Sequence, residues 1–268
     1  MKRLYPYLIS GGLLIWVTSC QKVINIDLNS VSPAIVIVGN INNLPGPYTV
    51  TLNQTVNFST PNTFPPVNGA FITIADNAGN TDTLVETASP GVYNTKKIQG
   101  VPGRTYNLTV KANGQTYSST STMPQMVTFD TLLVFAYTPP NGGGGDTTYL
   151  PDAIFLDPPG GTHYYRLIET VNDTVLPDIF AFTDKYFGAT YINYKIYPYS
   201  SKKDLVLGDS VKVEMQCIDE GTYNYLNTLG EASGSTNVTP ANPASNISNN
   251  ALGYFSAHTS SFRTVKVK

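Results

Sequence analysis

Two imidazoles and one internal thiol are the residues most able to do chemistry. His163 stands in Gly160-Gly-Thr-His-Tyr-Tyr-Arg166, and His258 in Phe255-Ser-Ala-His-Thr259. A serine hydrolase needs an imidazole within hydrogen-bond reach of an activated serine. Neither segment supplies one locally, and no Gly-x-Ser-x-Gly elbow occurs. Two histidines 95 positions apart do not make a zinc signature, so no metal site is expected. Both histidines read as solvated or core-edge side chains. Cys217 lies in Ser210-Val-Lys-Val-Glu-Met-Gln-Cys-Ile-Asp219, where Val211, Val213, Met215 and Cys217 alternate with polar residues. That places the thiol on the inner face of a strand, as a small core residue rather than a nucleophile. Asp219-Glu220 is the one adjacent carboxylate pair after residue 20, and it opens a short helical pattern over 219–229. There it reads as a cap on the positive helix end rather than as a glycosidase pair. Asp76-Asn-Ala-Gly-Asn-Thr-Asp82 has oxygen ligands near calcium-loop spacing but lacks the closing bidentate glutamate, so a hairpin turn explains it. Gly142 to Gly145 is not followed by Lys-Ser/Thr, and no phosphate loop is implied. No catalytic residues, cofactor or enzymatic activity are expected.

Binding chemistry is better represented. Residues 180–199 hold eight aromatics, among them Tyr186, Phe187, Tyr191 and Tyr194. Tyrosine combines apolar area with a polar tip, which suits a partner or ligand surface. The same residues could fill a core; alternation puts Tyr191 with Asn193 and Lys195 on one strand face and Tyr194 on the other. At the N-terminus, Lys2 and Arg3 precede an apolar run from Leu4 to Val17. The strongly apolar part is about ten residues, too short to span ~30 Å of hydrocarbon. It reads as a signal peptide over residues 1–19. Val17-Thr18-Ser19-Cys20 resembles a bacterial lipobox, which implies cleavage before Cys20 and lipidation of its thiol. Two or more acyl chains give stable membrane anchoring.

The elements that must carry these residues are β-strands. Charged residues are 13% of the chain, while Asn, Ser and Thr together supply 28% and Gly plus Pro 15%. That composition favours strands joined by many turns. The net charge is −2, and −4 once Lys2 and Arg3 are removed, so no basic footprint for nucleic acid exists. The 41% hydrophobic share suffices for a real core. Residues 20–32 form a tether. Residues 33–124 carry about seven short strands, with Asn113-Gly114 as the strongest hairpin signal. The expected architecture is mainly all-β: an immunoglobulin- or transthyretin-like β-sandwich over 33–124, then a second β domain with one short helix over 125–268. Ala251–Thr259 and Arg263–Val267 are expected as two terminal strands.

Several segments resemble a lipoprotein family of Bacteroidota outer membranes, domain-of-unknown-function family 4249. They are Val23-Ile-Asn-Ile-Asp-Leu28, Ile35-Val-Ile-Val-Gly39, Val67-Asn-Gly-Ala-Phe-Ile-Thr-Ile-Ala-Asp76, Gly91-Val-Tyr93, Gly103-Arg-Thr-Tyr-Asn-Leu108, Met123-Pro124 and Asn246-Ile-Ser-Asn-Asn-Ala-Leu-Gly-Tyr-Phe-Ser-Ala257. The first unit is also similar to the carboxypeptidase-regulatory β-sandwich. The family resemblance implies an outer-membrane lipoprotein, lipid-anchored at Cys20, often paired with a TonB-dependent β-barrel transporter in nutrient uptake. It implies no reaction and supplies no catalytic residues. A structural or adhesion lipoprotein without cargo, and a hydrolase of unrecognised type, are the alternatives.

Overall fold

Strand alternation in the sequence becomes alternation of burial. The computed structural model describes residues 33–57, 63–137, 148–187, 190–199, 204–233 and 242–268. The signal peptide, Cys20, the rest of the tether and Gly142 to Gly145 lie outside the described residues. In β1 (Ile35–Asn42), every second residue is buried, and Ile37 and Ile41 are fully enclosed. It is followed by β2 (Thr49–Gln54), β3 (Phe71–Asp76), β4 (Thr81–Thr83), β5 (Val85–Glu86), β6 (Val92–Asn94), β7 (Thr105–Ala112) and β8 (Gln115–Thr122). Further along are β9 (Thr131–Tyr137), β10 (Thr148–Leu156), β11 (Tyr164–Val171), β12 (Thr174–Val175), β13 (Phe180–Thr183), β14 (Tyr191–Lys195) and β15 (Ser210–Ile218). One helix, α1 (Glu220–Ser233), and a long strand, β16 (Leu252–Lys266), complete the order. The fold is mainly β, as the composition predicts.

A nine-stranded sheet runs β12-β11-β15-β16-β1-β2-β6-β5, with β13 also paired to β11. Two smaller sheets, β4-β3-β7-β8 and β14-β10-β9, complete the strand framework. Two cores result. The first gathers Ile37, Leu52, Ile74, Tyr93, Tyr106 and Leu108; the second gathers Phe129, Phe155, Tyr165, Leu167, Ile192 and Val213. The first core also takes Ile247, Ala251, Phe255 and Ala257 from the far end of the chain, and in the interior of the chain the core changes between Met123 and Val127. The backbone does not divide there, and Pro33–Lys268 forms one compact unit.

The reason is β16. Its first half pairs parallel with β1, from Val36 opposite Leu252 to Asn42 opposite His258. Its second half pairs antiparallel with β15, from Cys217 opposite Thr259 to Ser210 opposite Lys266. One strand thus replaces the two expected near residues 251–267. Phe255 and Ala257 enter the first core, and Val267, just past the strand, enters the second. Between them Ser256, His258, Thr259 and Ser260 are buried too. The helix packs against the same region, with Tyr225 on Tyr254 at 4.8 Å and Tyr223 on Tyr164 at 4.9 Å between ring centres.

Local chemistry fixes the ends of these elements. Asn113 (φ 52°) and Gly114 (φ 73°) make the two-residue turn between β7 and β8, and two successive positive φ values give the twist that matches the flanking strands of a tight hairpin. Asp76 closes the β3–β4 hairpin. Its Oδ1 accepts the N–H groups of Ala78 and Asn80, and its Oδ2 accepts from the Asn80 amide and from Arg104 Nη1 at 2.8 Å. Both oxygens are occupied by the chain's own donors, which is a turn and not a calcium loop. Asp219 caps α1: its Oδ1 accepts the Thr222 N–H at 2.9 Å, and its Oδ2 accepts the Ser121 hydroxyl at 2.6 Å.

Candidate functional site

The aromatic segment divides by face. Thr183 caps a short 3-10 turn, Asp184–Tyr186, which lifts Tyr186 away from the surface; it is 83% exposed. Along β14, Tyr191 points outward at 61% exposure while Ile192 is fully buried. Phe187 and Tyr194 turn inward against the second core. Tyr194 stacks on Phe182 with centroids 4.1 Å apart and planes 13° from parallel, and Phe187 meets the same ring at 5.6 Å. Burial raises the Tyr194 phenol above its ordinary pKa. Two of the four residues therefore present tyrosine to solvent, and the other two pack inward on Phe182.

Beside this segment the fold assembles a group that the sequence did not connect. β10 ends at Leu156, and Asp157 follows, its N–H donating to the Thr190 carbonyl at 2.7 Å. The chain reverses through Pro158-Pro159-Gly160-Gly161. Gly160 and Gly161 both take left-handed φ, 84° and 86°, which side chains disfavour. His163 then leads into β11. The antiparallel β11–β13 pairing sets Tyr164 opposite Thr183, and one step beyond it Asp184 donates its N–H to the His163 carbonyl at 3.1 Å. The His163 N–H returns to Asp184 Oδ2 at 3.0 Å. The ladder itself delivers Asp184 to His163.

In this arrangement His163 Nδ1 lies 3.0 Å from Asp184 Oδ2 and 3.4 Å from Asp157 Oδ1. The Tyr165 hydroxyl donates a short hydrogen bond to the same Asp157 oxygen. Tyr165 is fully buried against Phe155 and Phe182. Desolvation, reinforced by Asp157, holds its phenol protonated at any ordinary pH. Both carboxylates are largely shielded, with side-chain exposures of 11% for Asp157 and 13% for Asp184. Two clefts reach the cluster. One, of about 390 Å³, is lined by Asp157, Gly160, Gly161, Asp184 and Lys185. The other, of about 460 Å³ and mainly apolar, is lined by Pro124, Val127, His163, Tyr164, Ile218 and Glu220. The expectation of no metal site rested on histidine spacing and on one calcium-like loop, both local features. The two carboxylates lie 6 positions before and 21 after His163, on separate elements, and only the strand pairing joins them.

The remaining candidates are sealed. Cys217 is buried and carries no disulfide, and burial pushes its thiol above the ordinary range. That suits the core role expected of it. His258 is also buried, with Nδ1 3.1 Å from Ser256 Oγ. Desolvation, with Arg166 adding to it, lowers its pKa to about 3, so the ring is neutral and inaccessible as a base.

Among the described residues no helix is long and apolar enough to cross a membrane. No curated protein is found to match the chain. The model of one family, described as a domain of unknown function (DUF4249), matches residues 21–264. Spanning nearly all of the chain after the lipobox-like segment, that match identifies the protein as a member of the DUF4249 family.

Proposed function

We propose that this protein is a lipid-anchored accessory lipoprotein of the Bacteroidota outer membrane, without enzymatic activity. Cys20 carries the acyl chains. The β-scaffold presents a tyrosine surface to a TonB-dependent β-barrel transporter or to its cargo during nutrient uptake. The observation that carries the reading is the exposure of Tyr186 and Tyr191 in the same segment whose Phe187 and Tyr194 pack on Phe182. A tyrosine has only two side-chain torsions to fix, so it loses little entropy on binding and brings a large apolar area with it. The lipobox-like Val17-Thr18-Ser19-Cys20 supports the anchor, and two or more acyl chains suffice for stable attachment.

The test is mild-detergent affinity purification of the lipidated full-length protein from membranes, followed by mass spectrometry. A β-barrel transporter should co-elute in stoichiometric amount and be lost with Tyr186→Ala plus Tyr191→Ala. Those two exposed substitutions should leave stability within about 0.5 kcal/mol of the original. Cys20→Ser should release the protein from the membrane fraction. A partnerless protein, or a complex indifferent to both tyrosines, overturns the transporter reading and leaves a stand-alone envelope protein.

A further inference from the structure

His163 Nδ1 faces two carboxylate oxygens at once, and a single proton on that nitrogen satisfies only one of them well. The three atoms, Asp157 Oδ1, His163 Nδ1 and Asp184 Oδ2, all lie within 4.8 Å of one another. Ligands held at 2.0–2.2 Å around one tetrahedral or octahedral ion stand about 2.9–3.5 Å apart along each edge. The two measured nitrogen–oxygen separations, 3.0 and 3.4 Å, fall on that scale. We propose that Asp157, His163 and Asp184 form a three-ligand site for a divalent ion of the zinc class.

Four features of the surroundings support the assignment. The donor set is one imidazole and two carboxylates, a mixed nitrogen–oxygen set suited to borderline divalent ions. Two of the three ligands have a partner outside the set: Tyr165 donates to Asp157, and the Thr183 hydroxyl donates to Asp184. His163 and Asp184 are held to each other by the His163 N–H on Asp184 Oδ2 and the Asp184 N–H on the His163 carbonyl. Such outer partners are how metal sites fix their ligands. The charge balance also favours a cation. Two shielded carboxylates face each other across one imidazole, and Lys185 is the one cationic side chain among the described residues lining the cleft. Finally, the cleft beside Gly160 and Gly161 gives an ion a path inward and leaves room for a further ligand from solvent or cargo. Three protein ligands with an open position characterise exchangeable sites rather than closed structural ones. The inference is independent of the transporter reading and stands or falls without it.

The experiment uses the full chain without a polyhistidine tag, stripped with EDTA and titrated with Zn²⁺ by calorimetry. One equivalent should bind and raise the melting temperature. His163→Gln and Asp184→Asn should each weaken binding about tenfold or more. A variant could fail to fold, so the unsubstituted protein labelled with ¹⁵N-histidine supplies a second readout. The Nδ1 resonance of His163 should shift on adding one equivalent of Zn²⁺. The resonances of the buried His258 should stay in place. Absence of stoichiometric uptake, or a His163 resonance that does not move, overturns the site. The three groups then form a proton-sharing cluster that pins the Gly160–Gly161 turn.

Discussion

Glu169 stands on β11 with its side chain turned into the second core, between Leu167 and Val171 on the same face. It is 2% exposed, and its Oε2 has no hydrogen-bond partner among the described residues. Desolvation, with a smaller contribution from the nearby Asp178 carboxylate, raises its pKa from the ordinary 4.5 to about 7. That rise corresponds to a penalty of about 3 kcal/mol on the ionised form in the folded state. The sign follows from proton counting. Below pH 4.5 folded and unfolded chains both hold the proton, and no penalty exists. Between 4.5 and about 7 the folded chain holds it and the unfolded chain does not, so stability falls as pH rises. Above 7 the full penalty persists. Glu169→Gln removes the titration. It also leaves an unmet amide, at a cost of about 1–3 kcal/mol that does not vary with pH. The informative quantity is therefore the change in the stability gap between variant and original. Urea denaturation at about pH 4 and about pH 8.5 should show the gap moving by about 3 kcal/mol in favour of the variant at the higher pH. A gap that stays constant to within about 1 kcal/mol would refute the buried-acid argument.

His258 works in the opposite direction. With its pKa held at about 3 against an ordinary 6.5, it is neutral in the folded chain, and unfolded molecules take up a proton that folded ones refuse. Stability should fall by about 1.4 kcal/mol per pH unit as pH drops from 6.5 towards 3. Between pH 4.5 and 6.5 the two slopes cancel. The original protein should therefore be nearly flat there by urea titration, Glu169→Gln should decline toward acid, and His258→Gln should decline toward base. A variant with the same flat profile as the original would remove that residue from the account. Gly253 gives a structural prediction. It holds φ 95°, and an added Cβ would lie 2.0 Å from the Ile37 carbonyl oxygen. Gly253→Ala should cost at least about 3 kcal/mol or abolish folding. Gly114→Ala, which meets nothing within 4 Å, should cost only about 1 kcal/mol of backbone strain; equal melting temperatures would contradict the close pairing of Gly253 with Ile37.

What could be read from the sequence was local. Thr105–Ala112 alternates with period two and Asn113-Gly114 demands a tight turn, so that hairpin follows from its own residues. Asp219 is legible as a cap because the apolar spacing after it is helical. Tyr191 and Tyr194 are separable onto opposite faces by the period-two alternation of a strand. The long strand β16 was not legible as one element. The two expected strands leave residues 260–262 as a gap, and it is the pairing of Ser260, Ser261 and Phe262 with Gln216, Met215 and Glu214 of β15 that makes that gap a strand interior. The cluster around His163 was hidden by the same kind of non-local cause. Nothing in the spacing of Asp157, His163 and Asp184 brings them together; the pairing of β11 with β13 and the reversal through Pro158–Gly161 do.

The shared strand also dictates how this molecule can come apart. Strand β1 finds its parallel neighbour only when residues 252–258 arrive, more than two hundred positions later in the chain. Pairings of such long range close large loops and are slow to form. Until they close, the first core lacks Phe255 and Ala257, and the sheet holding the second lacks the β15 partner. Neither half can mature alone and wait for the other. Each melts when β16 leaves, so the two cores should unfold in a single transition. A break anywhere along that one ribbon is felt simultaneously on both sides of the molecule.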